Sequence, residues 1–290
     1  MRIKMTVENI MSSPVYVVKP NDTVAHARNL MLKHKINTLI VVDDEEEMVG
    51  IVTMSDLSRK KAQSGPTWKR RPVDDILIDR VMTESPLTIY SSASISQATS
   101  MMLENNISSL PVMKNKVAGI ITRIDIVRHF SENSSLEGSV SEWMTQNPIF
   151  VHRHHTINHV IDEMEKSNIH KLLVVNDVEE TVGMISTRDL ALNTLKDNEG
   201  KLQSKEIKMA RKPETGGQRV YRDVEKVSLV AEDIMSTKLH LIDSSDSLNN
   251  AAKIMIDENV LGLPVRENED IVGIISRSDI LRAIQNQISG

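Results

Sequence analysis

The chain has no cysteine, which excludes disulfides, thiolate nucleophiles and cysteine-ligated metal and is compatible with a reducing compartment. Aromatic residues make up only 2% of it, so a core has to be filled by Ile, Leu, Val and the 16 methionines. No apolar run approaches the roughly 18 residues of a membrane-spanning helix, and the opening MRIKMTVENIM has no apolar stretch of the signal-peptide kind. The expectation is a cytoplasmic protein. A Walker phosphate loop, a GxSxG elbow and an HExxH motif are all missing, so the expectation is also a protein that is not an enzyme. Basic residues are not in excess either. A formal charge of -5 repels nucleic acid and phosphate at long range, and anion binding requires Arg, Lys or backbone N–H groups gathered locally.

What the sequence does have is a fourfold repeat. Met11, Met82, Met144 and Met235 each precede an apolar residue by thirteen positions, at Val24, Ile95, Ile157 and Leu248. Apolar residues recur three and seven positions further on, at Ala27 and Met31, Ala98 and Met102, Val160 and Met164, Ala251 and Met255, which is one face of a helix. Thr23, Ser94, Thr156 and Ser247 stand just before these helices as hydroxyls suited to capping the first turn. Each helix is followed by a β-branched run (TLIVVD, SLPVM, LLVVN, GLPVR), a polar turn and a second arm (VGIVT, AGIIT, VGMIS, VGIIS), the pattern of a β-hairpin. Six residues after Gly50, Gly119, Gly183 and Gly273 stand Asp56, Asp125, Asp189 and Asp279, each opening a further helix. The fold class is therefore α/β, built from four strand-helix-strand-strand-helix units. A unit of about 55 residues is marginal alone, so the copies are expected to pair, one with two and three with four.

The expected boundaries are 7–60, 78–132, 140–193 and 231–284, with 194–230 as a linker or insertion. The stretch RKKAQSGPTWKRRP within residues 59 to 77 reads as a basic connector, or as a partner-binding strip on which Trp68 stacks. The longer segment from 194 to 230 suggests a hairpin excursion, an interface or partial disorder.

IMSSP, VMTESP, WMTQNP and IMSTK at the openings, INTLIVV, ISSLPV, IHKLLVV and VLGLPV at the centres, and GIVTMSD, GIITRID, GMISTRD and GIISRSD at the ends resemble the CBS domain, named after cystathionine β-synthase. Paired CBS domains form Bateman modules. A chain of four repeats with no catalytic domain is similar in architecture to the γ subunit of AMP-activated protein kinase and its stand-alone archaeal relatives. The resemblance implies a regulatory sensor whose inter-repeat clefts take AMP, ADP, ATP or S-adenosylmethionine, with no catalytic cofactor. It gives the ribose-binding role to Asp56, Asp125, Asp189 and Asp279, and puts the residues at the start of the central strand on the adenine wall: Asn37 and Thr38, Ser108 and Ser109, His170 and Lys171, Leu261 and Gly262.

The hydroxyl residues of the closing motifs, Thr53, Ser55, Thr122, Ser186 and Ser276, are ambiguous. A hydroxyl three residues before an Asp is also the spacing of a capping box, in which both groups satisfy helix-terminal donors. Arginine separates the readings, because a cap needs no guanidinium whereas a phosphate gains charge-assisted hydrogen bonds from one. Arg123, Arg188 and Arg277 supply it in three copies, Arg188 one place later, and the first copy has none. Thr88 is a further candidate, and Lys171 and His170 add phosphate contacts. VHRHHTINH, with His152, His154, His155 and His159, invites a metal reading, but solvated or nucleotide-facing histidines need fewer assumptions. Competing functions are a nucleic-acid-binding protein modulated by nucleotide and an interaction scaffold with empty clefts. The expected partners are the adenosine ligand, an unidentified protein and a second copy in a homodimer.

Overall fold

The computed structural model describes residues 5–58, 75–133, 136–193, 204–210 and 221–289. The four repeats are present. Copy one comprises β1 (Val17–Val18), α1 (Val24–His34), β2 (Thr38–Val42), β3 (Met48–Thr53) and α2 (Met54–Ser58). Copy two comprises β4 (Thr83–Glu84), β5 (Ile89–Tyr90), α3 (Ile95–Glu104), β6 (Ser109–Met113), β7 (Val117–Thr122) and α4 (Arg123–Asn133). Copy three comprises α5 (Val140–Trp143), β8 (Thr145–Gln146), β9 (Phe150–His152), α6 (Ile157–Lys166), β10 (Lys171–Val175), β11 (Thr181–Ser186) and α7 (Thr187–Asn193). An antiparallel ribbon, β12 (Ser204–Ala210) and β13 (Tyr221–Ser228), follows. Copy four comprises α8 (Ala231–Ile234), β14 (Ile242–Asp243), α9 (Leu248–Asp257), β15 (Gly262–Glu267), β16 (Asp270–Ser276) and α10 (Arg277–Ser289).

Local chemistry fixes these elements as the sequence implies. The Thr23, Ser94, Thr156 and Ser247 hydroxyls each accept from the backbone N–H three residues on, at 3.1 to 3.4 Å, satisfying a donor that the first turn would otherwise leave open. After each first helix the chain turns through a left-handed residue: Lys35, Asn106, Asn168 and Asn259, with φ between 49° and 55°. Asparagine is one of the few non-glycine residues that tolerate this conformation. The apolar face of α1 buries Val24, Ala27 and Met31, and the same positions are buried in the other three copies.

Each copy is completed by its neighbour. The opening segment of copy two pairs with the closing strand of copy one, with Glu84 opposite Gly50 and Thr83 opposite Ile51. The opening of copy one bridges back from Ser12 to Ile120. Copies three and four repeat the exchange, Gln146 facing Gly273 and Ser236 facing Met184. The repeating methionine and glycine are the two halves of this exchange. A Cβ built on Gly50, Gly119, Gly183 or Gly273 would lie 2.5 to 3.1 Å from the sulfur of Met82, Met11, Met235 or Met144 respectively, so only a residue without a side chain admits the partner's methionine. The pairing of one with two and three with four is the observed one, and it makes two modules.

The modules join through their closing helices. α4 and α10 pack together, as do α2 and α7. The largest apolar cluster runs from copy two into copy four, taking in Ile126, Val127, Ile280, Leu281 and Ile284, all fully buried. Each such side chain contributes about 1.5–3 kcal/mol. Among the described residues no helix is long and apolar enough to cross a membrane. The basic connector, with Trp68, lies outside the described residues except for its last few positions.

Candidate functional site: the clefts at the ends of the closing strands

Every closing strand runs into a helix through the same hydrogen-bonded corner. Thr53, Thr122, Ser186 and Ser276 donate from both backbone N–H and hydroxyl to one carboxylate oxygen of Asp56, Asp125, Asp189 and Asp279, at 2.6 to 2.9 Å. The aspartate half of the capping box is thus realised in all four copies, and the reciprocal bond from the Asp N–H to the hydroxyl is present in copies one and three. The aspartate half consumes only Oδ2 of each carboxylate, and a carboxylate offers about four lone-pair sites. Oδ1 lies 3.6 Å from Arg128 Nη1 in Asp125 and is hydrogen-bonded to Arg282 in Asp279. At Asp125 and Asp279 the carboxylate keeps lone-pair capacity for a further donor, such as a ribose hydroxyl.

The structure divides the four aspartates into two kinds. Asp125 and Asp279 are 7% and 3% exposed, whereas Asp56 and Asp189 are only partly buried. Asp125 and Asp279 stand in the first turns of α4 and α10, which pack together at the module junction. Burial raises the Asp125 carboxyl above its ordinary value, opposed by the Thr122 hydrogen bonds and by Arg128 and Arg277.

The arginines do not serve their own copies in the way their sequence positions suggest. Arg123 Nε donates to Ile107 O at 3.0 Å and Nη2 to Asn106 Oδ1 at 3.4 Å, while Nη1 donates to Ser278 Oγ in the other module. Its favourable charge partner is Asp279. Arg277 reciprocates: Nη2 donates to Asn259 Oδ1 at 3.3 Å, and its favourable partner is Asp125. Each guanidinium is thus steered by the left-handed asparagine of its own copy toward the aspartate of the opposite module. Arg277 is 8% exposed and its Nε is buried with no hydrogen-bond partner. Burial, then the nearby Arg188 and Arg128 charges, push it down to about 10. Arg188, one place out of register, contributes to the same positive centre.

Lys171 is the third cation here. Burial pushes its ammonium down to about 8, with Arg123 and Arg277 adding to the effect and Asp279 opposing it. His170, beside it, lends its carbonyl to the Thr187 N–H at 3.0 Å. In the first module, Thr38 Oγ1 and Ser109 Oγ meet at 3.1 Å at the equivalent place; Ser108 receives the Arg123 N–H at its carbonyl. Ser55 stands beside Asp56 in α2, and Thr88 is exposed immediately before β5, which pairs with β6 of its own copy. The opening segment of each copy thus lies along the closing strand of its partner.

The histidine run lies against Asp177. His152 Nε2 lies 3.2 Å and His154 Nε2 3.7 Å from Asp177 Oδ1, and His155 packs edge-on against His159. Among the described residues no cluster of three or more His, Asp or Glu is arranged to hold a metal. Sequence reasoning missed Asn106, Asn259 and Ser278 as orienting partners. The signal for the asparagines was available, since both stand twenty-four residues after their methionine.

Comparison with known proteins agrees with this architecture. The CBS domain family matches residues 7–62, 73–132, 140–194 and 230–286. The chain belongs to the CBS domain family. Protein MJ1404 of Methanocaldococcus jannaschii is 27% identical over 289 residues, covering 98% of this chain and 63% of its own length; this chain thus spans less than two thirds of that relative. Protein MJ1225 of the same organism, described with its crystal structure as a proposed archaeal homologue of γ-AMPK, superposes with a TM-score of 0.74 at 20% identity, over 97% of this chain and 100% of that one. The CBS domain pair of protein MJ0100, solved in complex with 5'-methylthioadenosine and S-adenosyl-L-methionine, is 29% identical and covers 45% of this chain and 98% of its own, with a TM-score of 0.39.

Proposed function

We propose that this protein is a non-catalytic sensor of adenosine-type ligands, AMP, ADP, ATP or S-adenosylmethionine, which bind in the inter-repeat clefts and whose occupancy is relayed as a change in how the two modules meet. The observation that carries the reading is the positive centre at the module junction. Arg123, Arg277 and Lys171 converge beside Asp125 and Asp279, with a buried guanidinium nitrogen of Arg277 unpartnered. Leaving a buried donor of a charged group unpaired costs several kcal/mol at most sites, and a phosphate would satisfy it. The aspartates beside it keep acceptor capacity for ribose hydroxyls. The cations lie at the junction and not along an open face, which suits a small anion better than a nucleic-acid backbone. No group of three or more His, Asp or Glu arranged to hold a metal accompanies them among the described residues.

Relay follows from the crossing of Arg123 and Arg277. A ligand that engages them acts on both modules at once, so it shifts any equilibrium between module arrangements by its differential affinity for them. Thermal unfolding with AMP, ADP, ATP, S-adenosylmethionine and an oligonucleotide tests the reading. A ligand at 100 times its Kd should add about 2.7 kcal/mol of stability. No shift with any adenosine compound at millimolar concentration contradicts binding. Sustained phosphate release abolished by a cleft substitution contradicts the non-catalytic assignment.

A further inference from the structure

The two modules are built on one plan, but they differ at the point where the central strands of paired copies meet. In the first module that point holds Thr38, at the start of β2, and Ser109, at the start of β6, and their hydroxyls satisfy each other at 3.1 Å. In the second module the equivalent residues are Lys171 and Gly262. A Cβ on Gly262 would come within 3.3 Å of Lys171 Cε and 3.4 Å of Cδ, and 2.9 Å of Ile275 O. The missing side chain is therefore the space through which the lysine stem crosses from copy three toward copy four. The acidic group that Lys171 senses is Asp279, the corner aspartate of copy four, and the other charges facing it are Arg123 from α4 and Arg277 from α10. No carboxylate lies within ion-pairing distance of its ammonium among the described residues. Asp279 Oδ1 is instead taken by Arg282.

The two junction clefts thus differ in charge. The Asp125 cleft has a neutral, self-satisfied hydroxyl pair where the Asp279 cleft has an unpaired cation. We propose that the Asp279 cleft is the site selective for phosphorylated adenosine ligands over uncharged or sulfonium-bearing ones, and that Lys171, admitted by Gly262, is its specificity-determining residue. This rests on the adenosine-sensor reading and refines it. Three cations, the half-buried Lys171 and Arg123 and the buried Arg277, set against the buried Asp125 and Asp279 leave an excess positive charge, and electrostatic interactions strengthen as water is excluded. A phosphate neutralises that excess. A sulfonium adds to it, and adenosine leaves it uncompensated. Loss of the lysine contact should cost the phosphorylated ligand on the order of ten- to hundredfold in affinity and adenosine nothing.

The test is calorimetric titration of the full chain, wild type and Lys171→Met, with ATP, AMP, adenosine and S-adenosylmethionine at pH 7 and pH 9. Methionine keeps the length and apolar stem of lysine. The expected result is a selective loss of ATP and AMP affinity at one site of Lys171→Met, with adenosine unchanged. In the wild type the same selectivity should weaken from pH 7 to pH 9 as the ammonium deprotonates, and that dependence should vanish in the variant. The double substitution Thr38→Lys with Ser109→Gly transplants the arrangement and should raise phosphate selectivity at the Asp125 cleft, an independent reading if Lys171→Met folds poorly. An unchanged ATP-to-adenosine ratio in Lys171→Met, or no gain in the transplant, overturns the assignment while leaving adenosine binding intact. Failure of the wild type to bind any adenosine compound overturns the sensor reading itself, and this inference with it.

Discussion

Met235 from copy four lies with its sulfur 2.5 Å from where a Cβ on Gly183 of copy three would stand. The contact is tighter than any real side chain permits, and its counterpart recurs in all four copies, so the methionine and the glycine are two parts of one joint. Gly183→Val should therefore destabilise the protein by about 1–3 kcal/mol through overpacking. Met235→Ala in the same chain should recover part of that loss, because the two residues share the space. Denaturant unfolding of the two single variants and the double variant checks it, and additive effects would mean that the joint is not where the copies are held.

The α4–α10 contact makes a prediction about the isolated first module. Ile126 and Val127 are fully buried against copy four, and a chain ending at Asn133 exposes them. An exposed apolar face of this kind drives association. Such a chain should fold and self-associate, as sedimentation would show, and Ile126→Glu should return it to a monomer. A monomeric, well-folded first module with Ile126 intact would count against the contact.

Much of this fold was legible in the sequence, because the fourfold recurrence fixed the phase of every helix and strand. The hydroxyl caps at Thr23, Ser94, Thr156 and Ser247 and the pairing of copies could be read directly. The exchange of opening segments could not, since a strand of two residues such as Thr83–Glu84 carries no periodicity of its own. The site was legible by residue type and not by grouping. Asp125 and Asp279 look no different from Asp56 and Asp189 along the chain, yet only the former pair is buried. Arg123 and Arg277 stand next to their own aspartates in sequence, yet their favourable charge partners lie across the module junction. Contacts between modules are long-range, and a local motif does not encode them.

Lys171 gives the protein a pH-dependent stability. Its folded value of about 8 lies below the ordinary lysine value of 10.5, so between those limits the unfolded chain binds more protons than the folded one. Stability should rise with pH from about 8 to about 10.5, by up to roughly 3 kcal/mol. The full penalty is present below pH 8. Lys171→Met should be more stable than wild type at pH 7 and should flatten the rise, which unfolding curves across that range would reveal. A wild type whose stability is flat or falls there would mean the ammonium is solvated.

The aspartates combine cap and ligand roles, and substitutions can separate them. Asp279→Ala removes the acceptor for Ser276 N and Oγ and should cost about 1 kcal/mol as a lost cap. Asp279→Asn keeps a carbonyl oxygen for the cap but weakens the carboxylate's hold on ribose. It should lose less stability than Asp279→Ala while still binding AMP on the order of tenfold more weakly. Thermal unfolding and AMP titration of both variants check this, and full AMP affinity in Asp279→Asn would make this aspartate a cap alone.

The most direct measurement is a crystal structure of the protein grown with saturating ATP. The account predicts the ligand in the Asp279 cleft, with ribose hydroxyls hydrogen-bonded to the Asp279 carboxylate and the phosphates reaching Arg123 and Lys171. A structure in which ATP lies away from all four closing corners, or in which the corners stay empty at saturation, would contradict it.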